Sequence, residues 1–155
     1  MRKILFVCSG NTCRSPLALS AWRALEKAGQ TPQNIEAQSA GLMATDGAKA
    51  TKHTLALVRE WNQDLSEHRA KMLEPDVVKN ADWIAVMNSS HAAALREYFE
   101  KDSSKIILLG SFDPQNGDEE ILDPFGGSRE GYETCAARIR RAVEKLAQAI
   151  SNGEF

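Results

Sequence analysis

The chain has 155 residues, of which 43% are apolar and 26% charged, and its formal net charge is −2. That composition describes one globular domain, expected over residues 1–155, able to bury roughly 70% of its unfolded surface without disulfides or metal. It excludes a nucleic-acid binder that works through bulk charge, and no apolar run approaches the ~20 residues of a membrane span.

Met1-Arg2-Lys3 is basic and Ile4–Val7 apolar, but the pair is too short for a secretory signal. A cytoplasmic location is therefore expected, with Cys8, Cys13 and Cys135 as thiols. Lys3–Val7 reads as a buried parallel strand. A loop rich in Gly, Asn and Ser follows, and Pro16 marks the first position of a helix. Leu17, Ala18, Ala21, Trp22, Leu25 and Ala28 recur at helical spacing until Gly29 stops it. Ile35–Ala40 reads as a second strand, Ala48–Trp61 as a helix, and Glu74–Ala81 as a short helix. Trp83–Met87 is a third buried strand. Ser90–Glu100 is a helix capped by Ser89 or Ser90, and Lys105–Leu109 is a fourth strand. Gly110–Glu130 lacks periodicity, and a connection of that length in a compact domain is usually functional. Arg129–Ile150 is the last helix, with Ile139, Val143, Leu146, Ala147 and Ile150 on one face. Strands alternating with helices predict an α/β domain, a four-stranded parallel sheet covered on both faces.

The chemistry is concentrated in Cys8-Ser9-Gly10-Asn11-Thr12-Cys13-Arg14-Ser15-Pro16. This loop joins a strand to a helix, where open α/β sheets bind ligands. The helix start presents unpaired N–H groups and the positive end of a dipole, which suits an anion. Gly10 allows the turn. Closing the loop around a phosphate sets the Arg14 guanidinium against two phosphoryl oxygens and the Cys8 sulfur beneath phosphorus. Thiols have a pKa of ~8.5, and a helix N-terminus and an Arg favour the thiolate, which attacks directly. No metal or other cofactor is required. A Walker loop would need Gly-Lys-Ser/Thr, which is absent. A metal site is not expected, because His53, His68 and His91 show no ligand spacing.

This motif resembles that of the low-molecular-weight protein phosphatases. Ser39-Ala40-Gly41, His68 and Asp123-Pro124 also fall where that family places comparable residues, so the resemblance covers essentially the whole chain. It implies a phosphocysteine mechanism in which one carboxyl protonates the leaving group and then activates water. Asp113-Pro114 and Asp123-Pro124 are equally good acids in isolation. The resemblance selects Asp123, because Asp-Pro-aromatic-Gly-Gly precedes the final helix. Cys8, Arg14 and Asp123 are the catalytic candidates. Ser9, Gly10, Asn11, Thr12, Cys13, Ser15 and Phe125 are the candidate substrate-binding residues. The resemblance also gives supporting roles to Ser39 and His68, and has Asn11 shape the loop and Ser15 bond the thiolate. Cys13 reads either as a small buried hydrophobe or as a partner thiol that traps oxidised Cys8. Cys135 reads as core.

Thr12 and the segment Leu122–Ser128 are similar to those of bacterial protein arginine phosphatases, whereas tyrosine-specific relatives usually carry an aliphatic residue at the Thr12 position. The expected partners are thus phosphorylated proteins or peptides, with phosphoarginine favoured over phosphotyrosine, bound by a monomer. An arsenate reductase of this fold would need a further cysteine pair, and residues 81–100 contain none. A module that only binds phosphate would have lost Cys8, Arg14 or Asp123, and a sugar-transport component would lack Arg14.

Overall fold

The first strand is buried along most of its length, and that dictates the layers. In the computed structural model, which describes residues 1–155, β1 (Arg2–Cys8) lies inside a parallel sheet with β2 (Ile35–Gly41), β3 (Trp83–Val86) and β4 (Ile106–Leu108). The strand order is β2-β1-β3-β4. Side chains alternate along a strand, so Ile4, Phe6 and Cys8 join the larger core cluster while Leu5 and Val7 join the smaller one. The larger cluster is closed by α1 (Arg14–Lys27), α2 (Lys52–Arg59) and α5 (Arg129–Ser151). The smaller is closed by α3 (Pro75–Asn80) and α4 (Ser89–Tyr98) through Val78, Ala92 and Leu95. A sheet apolar on both faces with helices on each is the expected architecture. β1 has a partner on either side, so the chain reverses its direction of travel across the sheet there. The carboxyl end of β1 is the switch point where such sheets bind ligands.

Several boundaries differ from those the sequence predicts, each for a local reason. α1 begins at Arg14, not Pro16, because Cys13 already accepts the Leu17 N–H at 2.9 Å. α2 begins only at Lys52, where Thr51 caps it by accepting the Thr54 N–H. The preceding residues are drawn to the first loop instead, with Thr51 N–H donating to Thr12 O at 3.0 Å. Asn88, not Ser89 or Ser90, caps α4, accepting the His91 N–H at 2.8 Å. α4 ends at Tyr98, and a 3₁₀ stretch Glu100–Lys105 leads to β4, which spans three residues. Ser128 caps α5 by accepting from Gly131. No helix is long and apolar enough to cross a membrane.

Candidate active site

The switch point holds a cavity of about 310 Å³ lined by the first loop and the segment before α5. Cys8 lies at its floor, 2% exposed. Its Sγ is 3.0 Å from Ser15 Oγ and accepts the Asn11 N–H at 3.3 Å.

Asn11 holds the loop in shape. Its backbone is in the left-handed region at φ 56°, which Asn tolerates better than most residues. Its Nδ2 donates to Ser15 Oγ at 2.8 Å and Ser39 Oγ at 3.0 Å, and its Oδ1 accepts the Lys71 N–H at 3.0 Å. His68 Nε2 reaches Asn11 O at 2.8 Å. A carbonyl only accepts, so that nitrogen carries the proton. Burial, followed by the charges of Arg23, Lys71 and Arg69, pushes His68 below its ordinary value despite this bond. Ser39 and His68 thus both bond Asn11, one at its side chain and one at its backbone. Gly41 is required by the same packing, since a Cβ there would lie 2.6 Å from Ser9 O and 3.0 Å from Asn11 N.

Of the expected substrate-binding residues, Ser9, Gly10, Thr12, Cys13 and Phe125 line the cavity. Asn11 and Ser15 do not. Both are fully buried behind the loop, where their side chains bond its frame. Cys13 reaches the wall, but the neighbouring Cys135 thiol and burial raise its pKa far above that of a free thiol. Cys135 is core, as expected, and is also the neighbour that keeps Cys13 protonated.

Arg14 is 4% exposed and closes the cradle. It donates from Nη1 to Ile121 O at 3.0 Å, and its Nη2 stands 3.5 Å from Asp123 Oδ2. Asp123 lines the cavity with its side chain about half exposed, and its Oδ1 accepts the Phe125 N–H at 3.0 Å. Asp113 is elsewhere. It is 2% exposed and clamped by Arg141 and Arg138, from 2.8 to 3.3 Å. Burial pushes its pKa up, but the bonds from Arg141, the Gln115 N–H and Arg138 prevail and hold it at about 2.

Three sets of residues at the site fall outside those the sequence singles out. Met43, Thr45 and Ala48 form the opposite wall of the cavity. They sit in an aperiodic loop that offers no signal beyond its closeness to Ser39-Ala40-Gly41. Arg138 donates to the carbonyls of Glu120 (2.7 Å), Asn116 (2.8 Å) and Asp118 (2.7 Å), fixing the segment that carries Asp123. Its signal was present: Arg138 stands three residues after Cys135 and four before Ala142, in the apolar stripe of its helix. His91 contacts Ser9, with Nε2 2.9 Å from Ser9 Oγ. No three His, Cys, Asp or Glu side chains converge as a metal site would require.

A parallel sheet that feeds a Cys-x5-Arg loop into a helix N-terminus, with a carboxylate across the mouth, defines a single α/β domain with its cavity at the switch point. The model of the family "low molecular weight phosphotyrosine protein phosphatase" matches residues 3–154. The chain belongs to that family, a family of hydrolases. It is 33% identical over 148 residues to a protein-arginine-phosphatase of Geobacillus stearothermophilus, covering 96% of this chain and 95% of that one. It is 32% identical to a low molecular weight protein-tyrosine-phosphatase of Streptomyces coelicolor, covering 96% and 93%. The solved structure of the YwlE arginine phosphatase from Geobacillus stearothermophilus superposes with a TM-score of 0.86 at 29% identity, covering 99% of this chain and 96% of that one.

Proposed function

We propose that the chain hydrolyses phosphorylated protein side chains, phosphoarginine in preference to phosphotyrosine, through a cysteinyl-phosphate on Cys8. The observation that carries this is the convergence on one cavity of a buried sulfur, a buried guanidinium and a half-exposed carboxylate.

The phosphoryl group enters the cradle and takes the Arg14 fork, displacing Asp123 from its 3.5 Å contact. Cys8 Sγ attacks phosphorus as a thiolate and forms an S–P bond while the bond to the substrate nitrogen or oxygen breaks. Asp123, entering as the acid, gives its proton to that leaving atom. Loop N–H groups and Arg14 meet the charge on the equatorial oxygens. Asp123, now a carboxylate, takes a proton from water as the water oxygen attacks phosphorus. The S–P bond breaks, inorganic phosphate leaves and the thiolate returns. No step calls for a metal.

Thr12 favours phosphoarginine. It stands in the wall beside the nucleophile, where a hydroxyl accepts hydrogen bonds from a guanidinium and an aliphatic chain would not. Overall identity does not separate the two substrates, since relatives named for each match about equally. The test is kcat/KM on a phosphoarginine and a phosphotyrosine peptide, in the presence of a chelator. Phosphoarginine is expected to win by about tenfold, roughly 1.4 kcal/mol of transition-state binding. Thr12→Ile should shift the balance towards phosphotyrosine. Cys8→Ser should abolish both activities, and turnover equal to the parent's would sink the mechanism.

A further inference from the structure

The contact between Ser9 and His91 has no part in that mechanism, yet it is built into the cradle. Ser9 directly follows the nucleophile and lines the cavity. His91 is 5% exposed and enters from the first turn of α4. Its Nδ1 is buried without a partner, and its Nε2 is 2.9 Å from Ser9 Oγ. Burial, and then the charge of Arg14, pushes His91 down to about 4, against upward pulls from Glu120 and Asp123. Those are the charged groups that face it, Arg14 from α1 and the two carboxylates from the segment before α5. The ring is therefore neutral at ordinary pH and carries one N–H.

On Nδ1 that hydrogen would be a buried donor with nothing to meet, the rarer kind of orphan. On Nε2 it meets the Ser9 oxygen. The hydroxyl then accepts from the ring, and its own hydrogen is left for the cavity. We propose that His91 is a positioning residue whose Nε2–H holds Ser9 so that the Ser9 hydroxyl donates to an oxygen of the bound phosphoryl group. The proposal rests on the phosphatase reading above and adds to it a donor that the loop's backbone does not supply. It also explains why a neutral histidine suits this place: a permanently positive side chain would repel Arg14, and an apolar one would release the serine.

The test is the dissociation constant of inorganic phosphate, measured by titration calorimetry, with kcat and KM on p-nitrophenyl phosphate alongside. Ser9→Ala and His91→Asn are each expected to weaken phosphate about tenfold and to raise KM in step, with kcat changed less than about threefold. The double variant should be no weaker than either single, because both remove one interaction. His91→Gln places its amide nitrogen near the position of Nε2 and should bind phosphate within about twofold of the parent. His91→Asn places its nitrogen near Nδ1 and should not rescue. Losses that multiply in the double variant, or a His91→Gln as weak as His91→Asn, would overturn the proposal. If His91→Asn does not fold, Ser9→Ala decides alone, and an unchanged phosphate constant refutes it. Turnover that survives Cys8→Ser would remove the cysteinyl-phosphate mechanism, and the phosphate constants would still judge the Ser9–His91 pair.

Discussion

Asn11 shows how much one side chain carries. It is fully buried, left-handed, and its amide ties the loop to Ser15, Ser39 and the Lys71 N–H. Asn11→Ala removes those bonds, leaves a backbone donor and a hydroxyl unpaired, and places a Cβ residue that cannot bond locally in the left-handed region. The expected loss is about 3 kcal/mol in urea denaturation. Asn11→Gly loses the same bonds without the backbone penalty and should recover about 1 kcal/mol of it. Equal losses would mean that the backbone conformation costs nothing here. Much of this is legible from the chain: Gly10-Asn11 signals a turn, and the spacing of Cys8, Thr12 and Arg14 suits one loop around one cavity, which all three line. The side-chain partners were not, because Ser39, His68 and Lys71 come from elements far along the sequence, and hydrogen bonds of that range leave no periodicity. That is also why Asn11 and Ser15 were expected at the ligand when they stand behind it.

At the scale of elements, strands and helices were read well where burial imposes a period and less well where polar caps set the ends. Ile4–Val7 and the stripe Ile139–Ile150 could hardly be other than a buried strand and a one-faced helix. Asn88 is hard to single out as a cap because Ser89 and Ser90 follow it and cap comparably well. The length and lack of periodicity of Gly110–Glu130 set it apart in the sequence, but what holds it is hidden in α5. Arg138 gives its guanidinium to the carbonyls of Asn116, Asp118 and Glu120, more distantly to Gly110 O, and to Asp113, while Ile121 N–H bonds Met87 O just after β3. Asp113-Pro114, indistinguishable from Asp123-Pro124 by composition, is thus the anchor of the loop and stands away from the cavity that Asp123 lines. Arg138→Met should free the loop and strand Asp113 as a half-compensated buried charge, at a cost of about 3–5 kcal/mol. Because Asp123 is then poorly placed, kcat should fall by about tenfold or more while KM changes little. Arg138→Lys should not restore kcat, since an ammonium lacks the planar fork that spans three carbonyls. Full activity in Arg138→Lys would show that the loop needs only the charge.

For the molecule as a whole, these environments set how stability responds to acid. His91 and His68 are held below their ordinary value of 6.5, His91 at about 4. Between pH 6.5 and 4 the unfolded chain binds protons at these rings that the folded chain refuses. Stability is therefore complete above about pH 6.5 and declines as pH falls towards 4. Asp113 acts in a lower window. Its folded pKa of about 2 lies beneath the ordinary 3.8, so its contribution is present above 3.8 and is lost as pH drops through 2. The two windows are separable by substitution. In His91→Gln the fall between pH 6.5 and 4 should become shallower, with His68 accounting for what remains, while the loss below 3.8 should persist. The measurement is the urea midpoint at half-unit steps from pH 8 to 3 for the parent and the variant. Parallel curves between 6.5 and 4 would mean that His91 titrates in the folded protein as it does unfolded. A ring that accepts a proton so readily could not serve as the fixed neutral donor to Ser9, so this curve bears on the cradle as directly as a phosphate titration does.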